Sequence, residues 1–245
     1  MPAIEIQDLH FRYPGQVSPC LNNIHLRVEQ GESFGLLGPN GAGKSTLISL
    51  MTGLLKSSSG TLSVLGKDVS KSNSFRKYIG FVPQEFAFYE TLSPLENLQF
   101  FGAWAGLRSR EIQSRSAEIL HILGLTEYEK IAVRKFSGGM KRRVNLAIGV
   151  INQPRILFLD EPTVGVDVQT RHAIIHYLKE LNQRGTTLVY TSHLLAEAEV
   201  LCDQVALIDE GRILVHNTLG KLVDHHEESG LEGLFLKLTG KAYRD

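Results

Sequence analysis

The stretch Gly38-Pro39-Asn40-Gly41-Ala42-Gly43-Lys44-Ser45-Thr46 satisfies the pattern G-x-x-x-x-G-K-[ST] and constrains this chain more than any other feature. Ahead of it, Ser33-Phe34-Gly35-Leu36-Leu37 reads as a short buried strand; behind it, Leu47-Ile48-Ser49-Leu50-Met51 continues as a helix. Glycines at 38, 41 and 43 let the backbone take positive φ and approach a ligand closely. Backbone N–H groups then converge on an anion, helped by the positive end of the following helix. The pattern predicts a nucleotide phosphate site in which Lys44 reaches the β- and γ-phosphates and the Ser45 hydroxyl ligates Mg²⁺. A glycine-rich turn alone would be weak evidence, but strand, turn and helix occur together.

Lys+Arg and Asp+Glu both number 26, which argues against a broad surface for nucleic acid or anionic lipid. Cys20 and Cys202 are far apart, lack metal-like spacing and read as free thiols in a reducing compartment. The first residues lack the basic start and apolar run of a signal peptide, and no stretch approaches the ~20 apolar residues that cross a bilayer. The expectation is a soluble, cytoplasmic protein.

Along the chain, Ile4-Glu5-Ile6 and residues 24–29 alternate apolar and polar, as half-buried antiparallel strands do, with Tyr13-Pro14-Gly15 in the turn between them. Residues 60–66 repeat the alternation, and Ile79-Gly80-Phe81-Val82 is a short core strand. Ser93-Pro94-Leu95-Glu96 is a helix start with a Ser N-cap, Pro at the first position and Glu closing a capping box. Helical patterns follow over 98–107, 111–123 and 137–152, making about 86–152 a mostly helical insertion. Ile156-Leu157-Phe158-Leu159-Asp160 is then a continuous apolar run, the mark of a parallel strand buried on both faces. A helix over 168–184, strands over 187–191 and 204–208 and a helix over 194–201 complete an α/β parallel-sheet pattern. Residues 224–228, including His225 and His226, read as a polar linker before a short amphipathic piece at 231–238.

Asp160 and Glu161 end the apolar strand side by side. Neighbouring strand residues face opposite ways, so Asp160 can serve the Mg²⁺ shell while Glu161 orients or deprotonates water at the γ-phosphate. Ser137-Gly138-Gly139 opens another helix with a hydroxyl, bare backbone N–H groups and a helix dipole, again equipment for an anion. Taken alone it is equally an ordinary N-cap. Phe86, Phe88, Tyr89, Phe100, Phe101 and Trp104 crowd one segment, either as the core of the helical insertion or as a groove for a partner helix.

The P-loop, Gln84, Phe136-Ser137-Gly138-Gly139-Met140, residues 157–163, Gly165-Val166-Asp167 and Thr191-Ser192-His193 follow one another in order. This set resembles the ATP-binding cassette (ABC) transporter ATPases over almost the whole chain. The resemblance implies one domain over 1–245: a P-loop core with an N-terminal antiparallel β subdomain (about 1–85 and 153–215), a helical signature subdomain (about 86–152) and a short extension (about 216–245). It implies that Tyr13 stacks on adenine, residues 38–46 hold the phosphates, and Ser45, Gln84 and Asp160 serve Mg²⁺. Glu161 becomes the general base, His193 the switch histidine, and Lys44 and Gln84 further catalytic groups. Ser137, Gly138, Gly139 and Asp167 become nucleotide contacts, the three signature residues acting across a head-to-tail dimer. Phe136 and Met140 stand where the common form has Leu and Gln, and Val164 where many members have Ser. The Phe-Ser-Gly-Gly-Met form and residues 231–240 are similar to the branch serving ABC-2-type export permeases. The partners implied are a separate membrane permease and a second copy of the ATPase subunit, at the inner face of the membrane. Two alternatives stay open: a soluble ABC ATPase in another process, and a non-catalytic nucleotide-sensing module.

Overall fold

The structure, a computed structural model, describes residues 1–226 and 230–239. Five strands form the parallel heart of the molecule: β3 (Ser33–Leu37), β6 (Ile79–Val82), β7 (Ile156–Asp160), β8 (Thr187–Ser192) and β9 (Gln204–Asp209). They stand in the order β9-β3-β8-β7-β6, and a further strand, β10 (Arg212–Thr218), pairs antiparallel with β9 at the edge. Alternation within these strands feeds two hydrophobic cores, one on each face of the sheet. Leu157, Leu159, Leu188, Tyr190, Val205 and Leu207 enter one core. Ile156, Phe158, Val189, Ala206 and Ile208 enter the other. A strand that fills both faces has no position left for a polar residue, hence the uninterrupted apolar runs in the sequence.

Helix α1 (Lys44–Met51) packs in the second core, beneath an antiparallel sheet of β2 (Leu21–Glu29), β1 (Pro2–Phe11), β4 (Ser59–Val64) and β5 (Lys67–Asp68), in that order. The first core receives α2 (Pro94–Trp104), α3 (Ser109–Ile122), α4 (Gly138–Val150), α5 (Val168–Gln183) and α6 (Leu195–Leu201). The predicted capping box is present: Ser93 Oγ accepts from Glu96 N at 3.3 Å, and Ser93 N donates to Glu96 Oε2 at 2.8 Å. The C-terminal part corrects the sequence reading. Asp224, His225 and His226 close a helix, α7 (Leu219–His226), in place of the expected linker, because Leu222 is buried in the first core with Leu219 packed against it. Glu227 and Glu228 lie outside the described residues. Residues 216–218, assigned to the extension, belong to β10 and so to the main sheet. Helix α8 (Leu231–Thr239) buries Leu231, Leu234 and Phe235, as its amphipathic pattern predicts. Among the described residues, no helix is long and apolar enough to cross a membrane.

Candidate active site

The P-loop runs from the end of β3 to the start of α1, and its glycines are there for stated steric reasons. A Cβ on Gly38 would lie 2.1 Å from the Ile208 carbonyl oxygen. Gly43, the N-cap of α1, has φ +107°, a conformation that side chains disfavour. No side chain caps α1 and no acidic residue stands in its first turn, so the positive helix end is left for an external anion. Lys44 is buried, and its Nζ donates to the carbonyls of Gly38 at 2.7 Å and Pro39 at 3.1 Å. Burial pushes the ammonium below the usual lysine range, opposed by the charge of Glu161 and then of Asp160. A cation folded back onto its own loop, beside glycines that a Cβ would displace, suits a phosphate chain.

Three predicted catalytic groups meet at the carboxylate of a fourth. Glu161 Oε1 lies 3.4 Å from Lys44 Nζ, while Oε2 lies 3.2 Å from Gln84 Nε2 and 3.2 Å from His193 Nδ1. Glu161 takes φ +49°, a left-handed turn that directs its side chain off the end of β7. Its backbone N–H donates to Thr191 Oγ1 at 3.0 Å, and the same hydroxyl lies 2.8 Å from Asp160 Oδ1. Asp160 is buried at the strand end, and Ser45 is exposed in the first turn of α1. No cluster of three or more His, Cys, Asp or Glu side chains able to hold a metal is found among the described residues. A buried strand-end carboxylate and a helix-start hydroxyl are oxygen donors of the kind Mg²⁺ takes, with water and substrate phosphates supplying the rest. Tyr13, the predicted adenine platform, stands at the P-loop, its hydroxyl 3.0 Å from Thr46 Oγ1 and its ring edge-on to Phe11.

The signature residues gather elsewhere. Ser137 caps α4, accepting from Met140 N at 3.3 Å. The atoms nearest a Cβ on Gly138 or Gly139 belong to Gly165, Asp167 and Thr170, none of them in the P-loop. Asp167 in turn caps α5 through Thr170 N at 2.9 Å and Thr170 Oγ1 at 2.8 Å, bonds that hold its carboxyl below the usual aspartate range. The fold therefore joins Lys44, Gln84, Glu161 and His193, and separately joins Ser137–Gly139 with Asp167.

Sequence reasoning gave no role to Arg142, a buried residue of α4. Its Nη1 donates to the Gln84 carbonyl at 2.8 Å, Nη2 lies 3.4 Å from the Val164 carbonyl, and the guanidinium stacks on Phe86 at 4.9 Å. The available signal was its place on the face of α4 that buries Asn145, Leu146 and Gly149. The aromatic segment is also informative: Phe86, Tyr89, Phe100 and Trp104 are exposed, Trp104 by 79%. They stack on one another, with Tyr89 edge-on to Phe100 at 4.9 Å and Phe86 over Phe88 at 5.3 Å. An interior core accounts for Phe88, which packs against the first core, but not for the four exposed rings.

A family model described as ABC transporter matches residues 21–164. The chain is similar to the linearmycin resistance ATP-binding protein LnrL of Bacillus subtilis, 47% identical over 81% of this chain and 64% of that protein. It thus spans under two thirds of that relative's length. The Nod factor export ATP-binding protein I of Cupriavidus metallidurans is 40% identical over 83% of this chain and 68% of its own. Among solved structures, the ATP-binding subunit of an ABC transporter superposes with a TM-score of 0.89 at 28% identity, covering 97% of this chain and 99% of that one. A dimeric ATP-binding cassette in a post-hydrolysis state, bound to ADP and Pi, gives 0.82 at 25% identity over 88% and 98%. The fold is that of an ABC ATPase domain, and the matched family model takes in the P-loop and the Asp160–Glu161 pair together. The chain belongs to the ABC transporter ATP-binding family.

Proposed function

We propose that this chain binds and hydrolyses ATP as one half of a head-to-tail dimer that drives a separate membrane permease. The observation that carries this is the convergence of Lys44, Gln84 and His193 on the single buried carboxylate of Glu161. Phosphoryl transfer needs mostly positioning and charge stabilisation, which this set supplies. Lys44 exchanges the Gly38 and Pro39 carbonyls and the Glu161 carboxylate for phosphate oxygens. Glu161, relieved of its ion pair, accepts the proton of the attacking water. His193 and Gln84 hold that water's surroundings from the two flanking loops. Ser45, Gln84 and Asp160 would hold Mg²⁺, which would supply positive charge against the phosphates. The second anion cradle, Ser137–Gly139, lies with Asp167 and apart from the P-loop, and the partner copy's cradle completes each site.

Glu161→Gln keeps the shape and removes the base. ATP affinity is expected to stay within about threefold while turnover falls roughly a hundredfold or more. Unaltered turnover in a steady-state assay would sink the reading. The presence of both the base and the switch histidine speaks against a non-catalytic sensing module.

The permease side of the proposal rests on the exposed aromatics. Beside them runs a largely apolar groove of about 560 Å³ between the end of α1 and α2, lined by Leu54, Phe81, Phe101, Trp104 and Ile148. A groove of this kind suits an amphipathic cytoplasmic helix. The helix that supplies Ile148 to this groove also bonds the segment carrying Gln84, through Asn145 to the Pro83 carbonyl at 2.9 Å and Arg142 to the Gln84 carbonyl at 2.8 Å. Relatives named for linearmycin resistance and Nod factor export support an export role at the cytoplasmic face, with drug, lipid or polysaccharide-like cargo. Replacing Phe101 and Trp104, which line the groove, by Ser is expected to uncouple transport from ATPase activity in membranes; unchanged transport would retire the groove.

A further inference from the structure

Behind the sheet, on the face away from α1, a buried carboxylate has no part in the chemistry described so far. Glu197 of α6 is 8% exposed. Its Oε2 accepts from Thr163 Oγ1 at 2.6 Å and from the Tyr190 hydroxyl, and it lies 3.5 Å from Ser192 Oγ. Its Oε1 stands 3.0 Å from Arg171 Nε of α5, a charge contact without hydrogen-bond alignment. Burying a carboxylate is costly unless it is paired and bonded, so four partners from three segments are a specific arrangement. Burial, then the Glu197 charge, raises the Tyr190 hydroxyl well above the usual tyrosine range, which keeps it a proton donor.

The segments joined are the ones that aim the reacting groups. Thr163 is two residues beyond Glu161, whose left-handed backbone costs energy and persists only where its surroundings enforce it. Ser192 immediately precedes His193, and its Oγ also accepts from Leu194 N at 2.8 Å, closing the turn that carries the histidine. Arg171 opens the helix capped by Asp167. One carboxylate thus grips the turn after the general base, the turn of the switch histidine and the helix after the second cradle. On the catalytic face, those grips end in Glu161 Oε2 and His193 Nδ1 lying 3.2 Å apart.

We infer that Glu197 is a positioning residue, a splint on the rear of the sheet that sets the Glu161–His193 spacing through Thr163 and Ser192. The inference rests on the ATPase reading for its kinetic consequence but not for its structural one. The test uses the full chain in four forms: wild type, Glu197→Gln, Thr163→Val, which removes one donor while leaving the carboxylate, and the double variant. In both single variants kcat is expected to fall at least about tenfold with KM for ATP within about twofold, since small displacements of reacting groups cost rate more than binding. The double variant is expected to lose less than the product of the single losses.

Hydrogen exchange on the nucleotide-free protein supplies a readout independent of turnover. Peptides covering 161–167 and 192–195 are expected to exchange faster together in each variant, with the P-loop and the β1–β2 hairpin unchanged. Exchange that rises uniformly across the chain, or not at all in those two peptides, would overturn the splint. So would kcat losses that appear in Glu197→Gln alone. If the wild type itself does not hydrolyse ATP, the ATPase reading falls while the exchange data still decide the splint.

Discussion

The two glycine-rich helix starts of this molecule use similar residues to opposite ends. At the P-loop, Gly38 is wedged against the Ile208 carbonyl, Gly43 sits at φ +107°, and α1 has no side-chain cap. At the signature, Ser137 caps its own helix, Ser137 and Gly138 are exposed, and a Cβ on Gly138 would meet nothing closer than 3.9 Å. The first cradle is built into the core and has its cation, Lys44, folded onto it. The second lies open on the surface, with a loop that carries its own carboxylate, Asp167. A ligand site needs convergent groups and shielding from water, and only one of the two has both within a single chain. On the proposed reading the other is half of a site.

Alanine at the two kinds of glycine separates these roles with the largest effect. Gly38→Ala forces a Cβ into backbone and is expected to cost about 3 kcal/mol, roughly 10 °C in melting temperature, together with nucleotide binding. Gly139→Ala meets Thr170 Oγ1 at 3.2 Å, the end of a side chain that can yield. It is expected to melt within about 2 °C of wild type and bind ATP normally as a monomer, yet to turn over at least about tenfold more slowly. Equal losses in the two variants, read by calorimetry and ATPase assay, would erase the contrast.

A smaller effect sharpens the second cradle. The Asp167 carboxyl is held down chiefly by the Thr170 N–H and then by its hydroxyl. A depressed folded value means the stabilisation is complete above the unfolded value near about 4 and disappears as pH falls through the folded one. The melting-temperature gap between wild type and Asp167→Ala should therefore be constant near neutrality and close on acidification below about pH 4. A gap that widens there contradicts the assignment.

Local chemistry made much of this readable from the sequence. The P-loop, the Ser93–Glu96 capping box and the strand ending in Asp160-Glu161 each carry their reason in adjacent residues. The edge strand β10 escaped because its burial alternates only weakly, and α7 because its polar last turn hides the apolar anchors Leu219 and Leu222. Glu197 and Arg142 escaped for a different reason. Their meaning depends on distant partners, among them Thr163, Gln84 and Val164 at 22 to 58 residues, and no local pattern announces those. The aromatic segment showed an excess whose cause only exposure could decide.

The central claim is that each working pocket is shared between two copies of the chain. Sedimentation of Glu161→Gln with and without Mg·ATP tests it most directly. The account predicts monomer without nucleotide and a stable dimer with it, abolished when Ser137 and Gly138 are replaced by bulky acidic residues. A monomer under both conditions, or a dimer indifferent to those replacements, would contradict it.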